Sequence, residues 1–231
     1  MRIAIVENTA ITHHGQVGVA LHEAAARIDL YKPWRDGILP ELGAHDALVV
    51  FGGEQSALDD ATHPYLPRLA QLMTATGHHG IACLGICLGA QVQARGLGAH
   101  NQLAQAREFG WTEVSLTVQG RADPVFATLP ERFPIFQWHA DTFTPPPGTT
   151  HLATSPLAPQ QCYRFGRAGY GMQFHFEANR AMVQDWSDTF PDLIAQIDPD
   201  WHRTLPEKLA ATGAHSDAHG LTLARNWVKL I

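Results

Sequence analysis

Residues 81–95 read IACLGICLGAQVQAR. Ile81 to Ile86 is a short apolar run of the kind that forms a buried strand, and LGAQVQAR after it is a helix-forming run. The turn between them carries five residues, Gly85-Ile86-Cys87-Leu88-Gly89. They fit the pattern G-x-[nucleophile]-x-G, with cysteine in the central position. A side chain held at so sharp a strand-to-helix turn sits in a strained, exposed conformation, so its neighbours must be small. The positive end of the following helix faces the sulfur and favours thiolate over thiol. The N–H of Leu88 is then free to point at a developing oxyanion. A buried cysteine in a glycine-rich turn is the plainer reading, and the motif alone leaves both open.

Outward from this turn the same alternation repeats. Arg2 to Val6 and Asp46 to Phe51 read as buried strands, and Gly18 to Ala26 and Tyr65 to Met73 as helices. Strands alternating with helices predict an α/β fold with a central, mostly parallel sheet covered by helices on both faces. The second half changes character. Trp111 to Val118, Ile135 to Trp138, Cys162 to Phe165 and Tyr170 to Phe176 read as strands joined by Pro- and Gly-rich turns, which predicts an antiparallel extension from residues 111 to 170. Pro145 to Gly148 reads as a loop. From Ala178 the pattern is helical, ending in LTLARNWVKLI. The 231 residues fit one domain, 1–231, better than two.

Composition removes several classes of function. A net charge of −6 with no basic patch argues against nucleic-acid binding. The one mixed aromatic and basic cluster, Tyr31 to Arg35, reads as a strand end entering a loop. The N-terminal apolar run is too short for a signal peptide and no stretch has the length of a membrane span, so a cytoplasmic location is expected. Three cysteines, Cys83, Cys87 and Cys162, are no disulfide framework, and the spacing of the first two matches no common metal knuckle. His215, Asp217 and His219, and the pairs His13-His14 and His78-His79, have metal-compatible chemistry but read as polar loop or helix-end residues. No metal and no cofactor is expected.

A cysteine nucleophile needs a base. Met172 to Glu177 reads MQFHFE, an alternation that puts His175 and Glu177 on one face of a strand. Glu177 can then accept the imidazole proton that faces away from the sulfur, fixing the tautomer and stabilising the imidazolium. With fourteen histidines in the chain, a solvent-facing pair is the plainer reading of these residues. Phe51-Gly52-Gly53-Glu54 closes a buried strand with two glycines, where backbone can approach a substrate and offer a second oxyanion donor; an ordinary glycine turn is its plainer reading.

Together these pieces resemble the class I glutamine amidotransferase family, which uses a Cys-His-Glu triad. The likeness lies in the elbow GICLGAQ (85–91), the turn FGGEQS (51–56) and the segment FHFE (174–177), supported by Glu108 to Trp111 and by Trp138 to Asp141. The motifs come in the family's order and span roughly residues 3 to 180, with a C-terminal helical extension of about 178–231 beyond them. Within the family the chain is similar to stand-alone proteins related to the amidotransferase domain of GMP synthase. The resemblance implies a flavodoxin-like fold and a γ-glutamyl thioester on Cys87, with His175 and Glu177 completing the triad. It implies an oxyanion hole from the N–H groups of Gly53 and Leu88. It also implies that Gln91 and the backbone around Trp138, Ala140 and Asp141 hold the α-amino and α-carboxylate groups of glutamine.

Two residues depart from the family pattern: Phe176 stands where Pro is usual between the triad His and Glu, and Glu54 where Pro usually follows the Gly-Gly turn. About fifty residues follow the triad, too few for a nucleotide-activating synthase domain. The expectation is therefore an enzyme that releases ammonia from glutamine for a separate synthase subunit. The alternatives are a γ-glutamyl hydrolase or peptidase acting on another compound, and a non-catalytic regulatory module.

Overall fold

The computed structural model describes residues Met1–Ile231. Five strands pair in parallel. β1 (Arg2–Val6) lies between β2 (Arg27–Tyr31) and β3 (Ala47–Val50), and β4 (Ala82–Ile86) lies between β3 and β11 (Gly169–Met172). From β11 outward every junction is antiparallel, through β10 (Cys162–Phe165), β9 (Thr150–Thr154), β6 (Glu108–Leu116) and β7 (Arg132–His139). The result is one nine-stranded mixed sheet, with a separate two-stranded ribbon from β5 (Asn101–Gln102) and β8 (Thr142–Phe143). The antiparallel half is the extension expected of the second half of the sequence.

Side-chain alternation sorts the parallel half into two layers. Ile3, Ile5, Val49, Leu84 and Ile86 pack under α1 (Gly15–Glu23) and α9 (Ala214–Val228). Ala4, Val6, Leu48 and Val50 face the other way, under α3 (Leu66–His78) and α4 (Leu88–Gly96). Buried on both faces, β3 and β4 carry unbroken apolar runs, as parallel strands must. Short helices α2 (Pro33–Asp36) and α5 (Val118–Ala122) join strands. Thr117 caps α5 by accepting the N–H of Gly120, so Val118 opens a helix instead of ending a strand.

After β11 the chain builds α6 (Arg180–Thr189), α7 (Pro191–Ile197) and α8 (Trp201–Lys208), then a π turn (Leu209–Gly213) into α9. The strand end read at Tyr31 closes a full strand, Arg27–Tyr31, that pairs along all of β1, although its charged, half-exposed residues carry no buried-strand pattern. One expectation needs correction. The strand expected over Tyr170 to Phe176 stops at Met172. Beyond it only one isolated bridge continues, His175 opposite Phe136.

Candidate active site

β4 ends at Ile86 and α4 begins at Leu88, so Cys87 alone makes the turn. Its backbone sits at φ 51° and ψ −109°, a region that costs a residue with a Cβ on the order of 1–3 kcal/mol. The neighbours explain how it is held. The Cys87 N–H donates to the Met172 carbonyl at 2.8 Å, tying the turn to β11. A Cβ on Gly89 would lie 2.1 Å from the Val50 carbonyl oxygen, and one on Gly85 would lie 2.6 Å from the Gly89 backbone. Only glycine lets α4 cross this close over β3.

The Cys87 sulfur lies 3.8 Å from the Trp138 carbonyl oxygen and faces a cavity of about 400 Å³. The other two cysteines do not. Cys83 and Cys162 are wholly buried, and burial pushes the Cys83 thiol up to about 12 and Cys162 well above its ordinary value.

His175 and Glu177 reach the same cavity from a turn, not from a strand face. The His175 N–H donates to the Phe136 carbonyl at 2.8 Å, which borrows β7 as a support. The Glu177 carbonyl accepts the N–H of Gln16 at the start of α1, and a Cβ on Gly15 would stand 1.9 Å from it. On the other side, a Cβ on Gly220 of α9 would stand 2.0 Å from the Phe176 carbonyl oxygen. Phe176, where the family pattern has Pro, is fully buried against Phe174 and the residues beneath α9.

Within this clamp His175 Nδ1 and Glu177 Oε1 are 2.7 Å apart. Glu177 is 2% exposed and its second oxygen has no partner. Burial disfavours a charged His175, but the Glu177 carboxylate and the neighbouring Cys87 sulfur outweigh it. They hold the imidazole well above its ordinary value. Gly52 lies between: a Cβ there would sit 3.4 Å from His175 Cε1 and 3.5 Å from Cys87 Cβ.

Gly53, Leu88, Gln91, Trp138, Ala140 and Asp141 all line the cavity. The Gly53 N–H donates to no protein acceptor. Leu88 opens α4, so its N–H has no partner within the helix. Gln91 is buried and donates to the Asp141 carbonyl and to Gln173, while the Asp141 carboxylate accepts the N–H of Ala104. Glu54 is exposed at the cavity rim and close to Thr9.

Sequence reasoning missed several residues here. Glu108 is buried under the cavity, where its carboxylate joins His139, Ser155 and Gln161. Trp186 packs edge-on against the His175 ring, with centroids 5.3 Å apart. Phe190, Leu193 and Ile197 continue its wall. The spacing of 186, 190, 193 and 197 is helical in the sequence, but the break at Phe190 between α6 and α7 and the direction the residues face are not legible there. His215, Asp217 and His219 do not converge: Asp217 pairs with Arg180, and His219 packs on Phe133. No group of three or more His, Cys, Asp or Glu side chains is arranged to hold a metal ion.

The family model for class I glutamine amidotransferases matches residues 20–182. The chain belongs to the class I glutamine amidotransferase family. The glutamine amidotransferase-like protein YfeJ of Salmonella typhimurium is 31% identical over 145 residues, 62% of this chain and 61% of that protein. The GMP synthase of Thermomicrobium roseum is 38% identical over 115 residues, 49% of this chain and 21% of that enzyme. The chain thus matches under two thirds of the first relative's length and about a fifth of the second's. A crystal structure of a glutamine amidotransferase from Thermotoga maritima superposes with a TM-score of 0.87 at 25% identity, covering 99% of this chain and 97% of that one. The fold is that of this amidotransferase family. No helix is long and apolar enough to cross a membrane.

Proposed function

We propose that the chain hydrolyses a γ-glutamyl amide, such as that of glutamine, through a thioester on Cys87. One observation carries the reading. The imidazole of His175 meets Glu177 through Nδ1 at 2.7 Å and shares with Cys87 the space beside Gly52, and both neighbours raise its proton affinity. A protonated imidazole beside the sulfur is the ground state of a cysteine nucleophile paired with its acid.

The Cys87 thiolate attacks the amide carbon while its former proton rests on His175 Nε2. A C–S bond forms, and the N–H groups of Gly53 and Leu88 meet the new oxyanion. Collapse breaks the C–N bond, and the Nε2 proton goes to the departing nitrogen. Water then attacks the thioester carbon and gives a proton to His175; the C–S bond breaks, returning the Cys87 thiolate and releasing glutamate. Glu177 keeps Nδ1 protonated and stabilises the imidazolium. Gln91 and the backbone of Trp138, Ala140 and Asp141 grip the amino and carboxylate groups of the glutamyl part.

Residues 1–231 act as one domain in this reading, because α9 closes on the turn that carries His175 and Glu177. The relatives include glutamine-hydrolysing GMP synthases, which supports a synthase as the consumer of the ammonia. The three cysteines are free thiols, which suits the cytoplasm. A second reading, hydrolysis of another γ-glutamyl compound by the chain alone, is favoured by the size of the cavity. Intact mass spectrometry after reaction with a chloroketone analogue of glutamine tests the chemistry. One adduct is expected on the wild type and none on Cys87→Ala; an adduct that persists in Cys87→Ala refutes it.

A further inference from the structure

The cavity has two unlike sides. Gln91, Asp141 and the Gly53 N–H supply polar groups on one side. On the other, Trp138, Trp186, Phe190, Leu193 and Ile197 form an apolar wall, and Ile11 also lines the cavity. These side chains are not spent in the core. Trp138, Trp186, Phe190 and Ile197 are half-buried, and Leu193 and Ile11 are 45% and 37% exposed. The wall is also rigid. Trp138 packs edge-to-face on Trp186 and Phe190, and the cluster of Phe136, Ile194, Trp201 and Leu205 backs it.

Its position relative to the chemistry decides its use. Trp186 touches the ring of His175, and His175 is the group that protonates the departing nitrogen. Whatever that nitrogen carries must leave past the His175 side, where the apolar wall begins. Ammonia would make no use of five apolar side chains. A cavity of about 400 Å³ also falls within the range, about 300–1,000 Å³, that encloses ligands far larger than glutamine.

Resting on the thioester reading above, we propose that the substrate is an N-substituted γ-glutamyl amide whose leaving amine carries an aromatic or branched aliphatic group, seated on the wall of Trp138, Trp186, Phe190, Leu193 and Ile197. The step balances as before. Sulfur bonds to the carbonyl carbon of the side-chain amide, the C–N bond breaks, and the His175 proton converts the leaving nitrogen to a free primary amine; water then adds to that carbon, the C–S bond breaks, and glutamate and the Cys87 thiolate are returned. Apolar contact made by the leaving group adds to binding, so its benefit appears chiefly as a lower KM.

The experiment compares γ-glutamyl phenethylamide, γ-glutamyl methylamide and glutamine on the purified chain, beside the chloroketone adduct as a separate measure of Cys87. The phenethylamide is expected to exceed the methylamide in kcat/KM by about tenfold or more, since each buried methylene contributes a factor of about ten or above. Phe190→Ala, Leu193→Ser and Trp186→Phe are each expected to lower that ratio. Equal kcat/KM for the two amides, with the adduct intact, overturns the wall's assignment and leaves the thioester chemistry standing. So does a ratio that survives all three substitutions. Glutamine turnover accelerated by a co-purifying protein, with no preference between the amides, gives the wall to a protein partner and also overturns it. Absence of both adduct and turnover of all three compounds removes the thioester reading itself, and this proposal with it.

Discussion

The turn at Cys87 and the turn at His175 meet in one cavity but are built in opposite ways. The first is local: five consecutive residues, Gly85 to Gly89, spanning the end of β4 and the start of α4, set its shape, and glycine on each side lets the helix cross the sheet. The second is assembled from afar. Its backbone borrows the Phe136 carbonyl from β7, the Gln16 N–H from α1 and the close approach of Gly220 on α9. One half of the site is thus written in a motif, and the other in the packing of the whole chain. The local half should fail by unfolding, and the assembled half by losing alignment.

Gly89→Ala tests the local half and should have the largest effect. Its Cβ would press on the Val50 carbonyl from 2.1 Å, a clash between two backbones that no rotamer relieves. A loss of about 3 kcal/mol or more in urea unfolding is expected, with no measurable turnover.

Glu177→Gln tests the assembled half with the fold intact. It removes the carboxylate that holds the His175 imidazole high, and kcat/KM should fall by about a hundredfold or more. The pH profile gives the sign. Loss of the imidazolium proton on the alkaline side ends activity, and in the parent that limb lies well above the ordinary histidine value. Without the negative charge the proton leaves more readily, so the limb moves to lower pH. An unmoved limb would mean that Glu177 does not set the charge of His175.

Gly220→Ala sharpens the contrast from outside the cavity. Its Cβ would reach 2.0 Å from the Phe176 carbonyl, so α9 or the turn must shift. A displacement of this kind costs up to about a hundredfold in turnover, while the elbow stays whole. Alkylation of Cys87 should therefore persist in this variant even as kcat drops. The smallest effect is expected where neither turn is touched. Iodoacetamide should add one label to the folded protein, absent in Cys87→Ala and unchanged in Cys162→Ala, because Cys162 is sealed in the core.

The same division explains what the sequence disclosed. The strand–cysteine–helix turn, the parallel strands around it and the antiparallel second half follow from residue patterns that short-range rules decode. Only the end of β2, at Tyr31, was legible, because Arg27 and Asp29 interrupt the strand and an edge strand needs no apolar run. The pairing of His175 with Glu177 was legible from their spacing, but its cause was not. A strand face would have aligned them by alternation, whereas here a turn aligns them through three distant supports. The wall of Trp186, Phe190, Leu193 and Ile197 showed its helical spacing, yet which neighbour a stripe faces is settled only by how α6 and α7 dock.

The contact of Gly220 with the Phe176 carbonyl also sets an order in time. A chain emerging from the ribosome carries Cys87, then His175 and Glu177, well before α9. Until Ala214–Val228 has been made and docked, the turn after β11 lacks one of its supports. Under the proposed chemistry, the nascent chain would hold the three groups of the triad unaligned, and the docking of α9 would be the step that aligns them.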